Sequence, residues 1–221
     1  MLLASGRCLA TTMVTTKIFC LMSALLLTYN SPAHAQDGSA RHGFWMDVAL
    51  GDGLAHLSSD TLAGQNRNGI DFIFDLGWTV SSRVRAGIGV DQWTSRWGSG
   101  KQTWLTSYNL SVYYYPLAHR TLFLQAGAGG SDYSVVHVPW QFLGADRADT
   151  VYLSGSAWGA TAAAGWDARL GRRVSLRPRF SYSYGSPRRL RAADGTLLAT
   201  GWKQHWLSVD VGLVLHPADS W

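Results

Sequence analysis

The 221-residue sequence predicts an all-β fold, an eight-stranded antiparallel up-and-down transmembrane β-barrel, on three observations. Charged residues make up 15% of the chain, against the roughly 25% usual for soluble proteins. There is no glutamate among the 14 acidic residues and the chain has three lysines, so the residues that normally build and solubilise helices are nearly absent. Apolar residues recur with a period of two in eight separate stretches, the spacing of a strand with one apolar face. The connections between them alternate short and long, and an even strand number with short turns at one end is the layout of a membrane barrel.

Residues 1–35 are expected to be a cleaved export signal. Arg7 and Lys17 supply positive charge, Ile18 to Leu27 the apolar core and Ala33-His34-Ala35 the cleavage site, leaving residues 36–221 as one barrel domain. Initiation at Met13 would give a signal of more usual length. The apolar core is about half the length that spans a bilayer as a helix, which favours export over anchoring. Both cysteines, Cys8 and Cys20, fall in this segment, so no disulfide, thiolate metal site or cysteine nucleophile is expected in the exported chain.

A first strand carries Phe44, Met46, Val48 and Leu50 on one face. In the second, Ile70, Phe72, Phe74, Leu76, Trp78 and Val80 share a face, with Asp71, Asp75, Gly77 and Thr79 on the other. Ser81-Ser82 then turns the chain into Val84, Ala86, Ile88 and Val90, alternating with Arg83, Arg85 and Asp91, which makes an antiparallel hairpin. Trp104, Tyr108, Leu110, Val112 and Tyr114 lead through a turn at Pro116 to Arg120 into Leu122, Leu124, Ala126 and Ala128. Pro116 cannot continue a central strand, so it marks the turn. Trp158, Ala160, Ala162, Ala164 and Trp166 lead through Arg169 to Arg172 into Val174, Leu176, Phe180, Tyr182 and Tyr184, and Leu207, Val209, Val211, Leu213 and Leu215 form the last strand. Longer loops are expected near 52–68, 94–101, 134–150 and 185–201, all at the outer end.

The aromatic positions decide which face looks outward. Trp158 and Trp166 bracket a strip of alanines; eight residues at about 3.3 Å each, tilted about 40°, rise roughly 20 Å, close to the ~25 Å apolar band between two aromatic girdles. The apolar face is therefore assigned to lipid and the polar face to the interior. That interior would enclose Asp47, Asp71, Asp75, Asp91, Asp167 and Asp210 with Arg83, Arg85, Arg177 and Arg179. Unpaired buried charges are costly, so these residues should form an ion-pair network, and eight strands enclose a polar plug rather than a wide channel.

No catalytic, metal or cofactor site is expected. His205, Ser208 and Asp210 lie close in sequence, but parity puts His205 on the face opposite the other two, which defeats a nucleophile–base bond. His56 and His137 are expected in loops without ligand partners. Gly127, Gly129 and Gly130 fit no phosphate-loop pattern. Without Arg7 and Lys17 of the expected signal, 17 of the 19 basic residues remain against 14 acidic ones, a net charge of +3 that is too small and too dispersed for a nucleic-acid partner. The most basic stretch, Arg188, Arg189 and Arg191, falls in an outer loop and is the candidate contact for lipopolysaccharide phosphates.

Gly43-Phe44-Trp45, Tyr113-Tyr114-Tyr115-Pro116, Gly165 to Arg172 and Leu207 to His216 resemble strand–turn–strand blocks of small bacterial outer-membrane β-barrel proteins of the OmpA/OmpX type, and the resemblance covers essentially the whole chain after residue 35. It implies an integral, monomeric protein of the Gram-negative outer membrane, surrounded by membrane lipid and lipopolysaccharide and inserted by the barrel-assembly machinery. Such proteins end on an aromatic strand; here Pro217 and Asp219 precede Trp221, so the insertion signal is expected in Trp206 to Leu215. A resemblance of pattern is specific for architecture and poor for activity. The expected role is structural or surface-interacting, with a narrow pore or a lipid A modifying enzyme as alternatives. The histidine two residues before a serine that the lipid A deacylases carry near the chain end is missing; Tyr182-Ser183-Tyr184 stands in its place.

Overall fold

A computed structural model describes residues 43–60, 64–96, 101–117, 121–137, 150–171, 173–187 and 189–216. The segment expected to be an export signal, with Cys8 and Cys20, as well as Arg188 and the tail from Pro217, lie outside them. The strands are β1 (Gly43–Ser58), β2 (Gln65–Ser81), β3 (Val84–Arg96), β4 (Lys101–Tyr114), β5 (Leu122–His137), β6 (Thr150–Trp166), the two-residue β7 (Ala168–Arg169), β8 (Val174–Gly185), the short β9 (Arg189–Ala192) and β10 (Leu197–Thr200), and β11 (Lys203–Leu215). Each long strand pairs antiparallel with its neighbour in sequence. β6 pairs with β8, β8 with β11, and β11 with β1, so eight strands close a ring.

The register fixes the shape of that ring. The cross-strand partners run from Val174 through Leu215, Met46, Leu76, Ile88, Leu110, Ala128 and Ala160 to Tyr184, so one circuit returns to β8 ten residues further along. Ten residues at about 3.3 Å, spread over eight strands about 4.8 Å apart, set a strand tilt of about 41°.

Outward positions follow the predicted parity. Leu50, Ile70, Trp78, Val80, Ile88, Leu110, Leu124, Phe180 and Leu213 are all exposed. From Ile70 to Val80 the outward apolar run covers about 25 Å along the barrel axis, the height of the hydrocarbon-facing band of a transmembrane barrel. Phe44, Trp78, Tyr114 and Trp166 ring one end of the band, and Tyr108, Trp158, Tyr182 and Tyr184 the other. Trp158 stands 81% exposed among alanines, as expected of an interfacial aromatic.

The outer loops are shorter than the sequence suggested. β1 runs on to Ser58, β2 begins at Gln65 and β5 reaches His137, so much of 52–68 and the start of 134–150 are strand. The reason is a reversal of polarity. Above the band the outward residues become polar (His56, Asn66, Asn68, Thr94), while the inward ones become apolar (Ala55, Leu57, Trp93, Leu105, Tyr133). The alternation continues, but its apolar face has changed sides.

Single-cysteine labels at Leu76 and Val211 are expected to be quenched by bromine or spin labels on lipid acyl chains and protected from an aqueous quencher. A label at either position that reports bulk water would contradict the outward assignment.

Candidate functional site

Inward side chains fill the lumen in layers. At the end with the short turns, Trp45, Tyr113, Tyr115, Phe123 and Val214 form an apolar floor. The Trp45 and Tyr113 rings meet edge to face at 5.1 Å between centroids. Arg177 lies over the Phe123 ring at 4.7 Å and Arg85 over the Tyr115 ring at 5.0 Å, so both guanidinium planes use aromatic faces as well as carboxylates.

Above the floor lies the ion-pair layer. Arg177 donates from Nε to Asp167 at 2.7 Å and from Nη1 to Asp47 at 3.1 Å. Arg85 reaches Asp167 at 3.4 Å, and the Tyr115 hydroxyl donates to the same carboxylate at 2.9 Å. Arg179 donates to Asp75 at 3.1 Å, and Tyr113 donates to that same Asp75 oxygen at 2.7 Å. Inward glycines make the room: Gly89, Gly51 and Gly212 face Asp75, Asp210 and Asp47, where a Cβ would collide with the carboxylate.

The next layer is acidic and hydroxylic. Ser208 donates to Asp210 at 2.9 Å, Ser183 donates to Asp91 at 2.7 Å, and Ser181 and Ser208 bond at 2.6 Å. Asp71 faces Asp91, Asp210 and Ser208. Arg179 approaches Asp210 at 4.0 Å, but among the described residues no guanidinium comes within that distance of Asp71 or Asp91. No group of three or more His, Cys or Asp side chains among the described residues is arranged to hold a metal ion.

Ala55, Leu57, Trp93, Leu105, Tyr133, Val135, Leu190, Trp202 and Trp206 close the outer end. Leu190 and Trp202 come from the segment that carries the β9–β10 hairpin, so this segment reaches into the mouth of the barrel. Trp93 donates to the Gly53 carbonyl at 3.0 Å and Trp202 to Gln204 at 3.2 Å, which satisfies both indoles without opening the seal. With apolar layers at both ends, Asp47, Asp71, Asp210 and Arg177 are 0% exposed, so a water-sized sphere does not reach them.

Asp47, Asp71, Asp75, Arg85, Asp91, Arg177, Arg179 and Asp210 are all buried inside, as parity required, and Asp167 joins them from the turn after β6. Arg83 does not. It has the right parity, but β3 begins at Val84 and leaves Arg83 exposed in the turn, where its carbonyl accepts the Tyr115 amide. The interior is also not polar throughout. Trp45, Trp93 and Trp206 share parity with Asp47, Asp91 and Ser208, a signal present in the sequence and overshadowed by the charges. His56 lies on β1, not in a loop, and Asp52 points outward between Leu50 and Leu54, opposite Ile70 and Val209. His205 faces outward while Ser208 and Asp210 face the lumen, so those three do not assemble.

Beyond the mouth, Arg189 and Arg191 are exposed on β9, on either side of the buried Leu190. The hairpin tip is fixed by Gly195 at φ 84°, a left-handed conformation that favours glycine. The Thr196 amide donates to Asp194 at 2.9 Å and holds that carboxyl below its ordinary value. Arg191 donates to the Gly195 carbonyl at 3.0 Å.

A closed ring of eight strands, apolar outside, charged within and shorter in its turns at one end, defines the fold of a small outer-membrane β-barrel. Among solved structures the chain is similar to Neisserial surface protein A, with a TM-score of 0.51 and 14% identity over 80% of this chain and 97% of that one. It is also similar to Ail, the attachment invasion locus protein of Yersinia pestis, with a TM-score of 0.47 and 10% identity over 78% and 99%. No protein-family model matches the chain, and none of the curated proteins is significantly similar to it in sequence.

Replacing Arg177 with Met leaves Asp47 and Asp167 buried without their main partner and is expected to cost about 3–5 kcal/mol in urea unfolding from lipid vesicles. Asp71→Asn removes a buried carboxylate that has no guanidinium beside it and is expected to be neutral or stabilising, within about 1 kcal/mol. Equal losses in the two variants would contradict the division into a paired and an unpaired layer.

Proposed function

We propose that the chain is a monomeric integral protein of the Gram-negative outer membrane, a sealed barrel that acts through its outer surface. In this reading the β9–β10 end faces outward, and Arg189 and Arg191, with Arg188 beside them in sequence, contact lipopolysaccharide phosphates. The observation that carries the proposal is the anchored hairpin. Leu190 is 1% exposed in the apolar seal, which holds the flanking arginines outward without the ordering cost of a free loop. Lipopolysaccharide supplies anionic phosphate at that level, and a guanidinium matches phosphate geometry.

The sealed lumen argues against a conducting pore. An enzyme reading finds no support in the lumen either: its hydroxyls and carboxylates have no described imidazole beside them, and His205 sits on the opposite face. Insertion by the barrel-assembly machinery is part of the proposal, with the outward face of β11 as the segment that carries the signal.

Changing Arg188, Arg189 and Arg191 together to Ser is expected to weaken lipopolysaccharide binding by the refolded barrel roughly tenfold, since three exposed charges contribute about 0.2–1 kcal/mol each. Unchanged binding would remove the hairpin from the contact. The same preparation in planar bilayers is expected to give no single-channel steps; stable unitary currents would replace the sealed barrel with a pore.

A further inference from the structure

Outside the lumen and the arginine hairpin, one cluster of chemistry-bearing side chains has no role so far. Tyr184 on β8, His205 on β11, His56 on β1 and Asn66 on β2 are consecutive cross-strand partners, and all four point outward. The two imidazoles stack, with 4.9 Å between centroids and 12° between planes. Tyr182 flanks His205 at 5.9 Å. His56 is held in place: its Nδ1 bonds the Asn66 side chain at 2.6 Å, and the Gly64 backbone lies so close to the ring that a Cβ there would collide with it. His205 forms no hydrogen bond among the described residues. Lys203, one outward position further along β11 and opposite Ser58, forms neither a hydrogen bond nor an ion pair among them.

The level of this row on the wall points to its ligand. His56 and His205 stand one outward position beyond Leu54 and Leu207, the last apolar pair of these two strands. At the tilt set by the register that is about 5 Å beyond the hydrocarbon edge. The headgroup layer adds roughly 5–8 Å on each side of the hydrocarbon core, so the row lies where lipid phosphates lie.

The charges facing the row agree. Two face-to-face imidazoles repel when both carry a proton, and Lys203 adds a further positive charge. On the neighbouring strands, β8 offers only Tyr182 and Tyr184 and β2 offers Asn66. On β1 the nearest acid, Asp52, is four residues below His56, and beyond the strand the Asp60 carboxylate accepts from the Thr200 hydroxyl while its backbone amide donates to the Thr200 carbonyl. An anion at this point would relieve the repulsion and meet the free donors of His205 and Lys203.

We propose that His205 and Lys203, with His56 as a fixed stacking partner, bind the phosphate group of an outer-leaflet lipid. The site rests on the membrane placement and orientation proposed above but not on the arginine hairpin. Free phosphate shares the chemistry, but a lipid is already anchored at the right height.

The test is native mass spectrometry of the full chain, released from detergent micelles doped with either phosphatidic acid or phosphatidylcholine. The wild type is expected to retain phosphatidic acid about fivefold more than phosphatidylcholine, and His205→Phe combined with Lys203→Gln to retain both alike, as expected for loss of two partly exposed charge contacts. Phe keeps the stack on His56, and a heat-dependent gel shift of the variant verifies the barrel. A variant that retains phosphatidic acid as the wild type does, or a wild type without preference, overturns the proposal. Displacement of the lipid by inorganic phosphate at matched concentration would overturn a lipid as the ligand. Failure of the membrane reading itself is distinguishable, because the wild type would then show no heat-dependent shift in micelles.

Discussion

The pairing of β1 with β11 is the interaction on which the rest depends. It joins thirteen residue pairs, from Met46 with Leu215 to Ser58 with Lys203, and converts an open sheet into a ring without edges. In hydrocarbon every backbone N–H and C=O needs a partner within the protein, and only a helix or a closed barrel provides it. Closure also fixes the ten-residue stagger, and the stagger decides which inward side chains share a level. Asp47, Asp75, Arg177 and Arg179 come from three strands and from positions up to 132 residues apart, yet they meet because the register carries them to the same height.

The interior is apolar below that ionic layer and again above the acidic and hydroxylic layer that follows it, and this arrangement explains how a barrel can hold six buried aspartates. The carboxylates and guanidinium groups bond one another and nearby hydroxyls, while the Trp45 floor and the Trp93–Trp206 seal exclude water. Breaking a buried pair from one side is costly because the remaining charge has no solvent to turn to. The same seal leaves the outer wall and the outer hairpin as the surfaces that meet other molecules.

Much of this was legible in the sequence. Strict alternation over Ile70 to Val80 and over Leu207 to Leu215 gave strand, face and parity together, because a period of two has only two phases. The inward aspartates followed from the same parity, and so did the separation of His205 from Ser208. Three things were not legible. Arg83 has inward parity but sits past the end of a strand, and a hairpin turn of two or three residues leaves that end ambiguous. The strand extensions beyond the membrane were hidden because the apolar face changes sides near Trp93 and His56. The stacking of His56 on His205, 149 residues away, requires the β1–β11 register, which local pattern does not contain.

The central claim is that the apolar outer surface is solvated by lipid and that the charges are enclosed. The most direct measurement is refolding of the purified chain from urea into lipid vesicles, followed by circular dichroism and by gel mobility with and without heating. The account predicts β-sheet signal and a heat-dependent mobility shift in vesicles, and aggregation in buffer without amphiphile. A monomer that stays dissolved in plain buffer with the same β-sheet signal would contradict it.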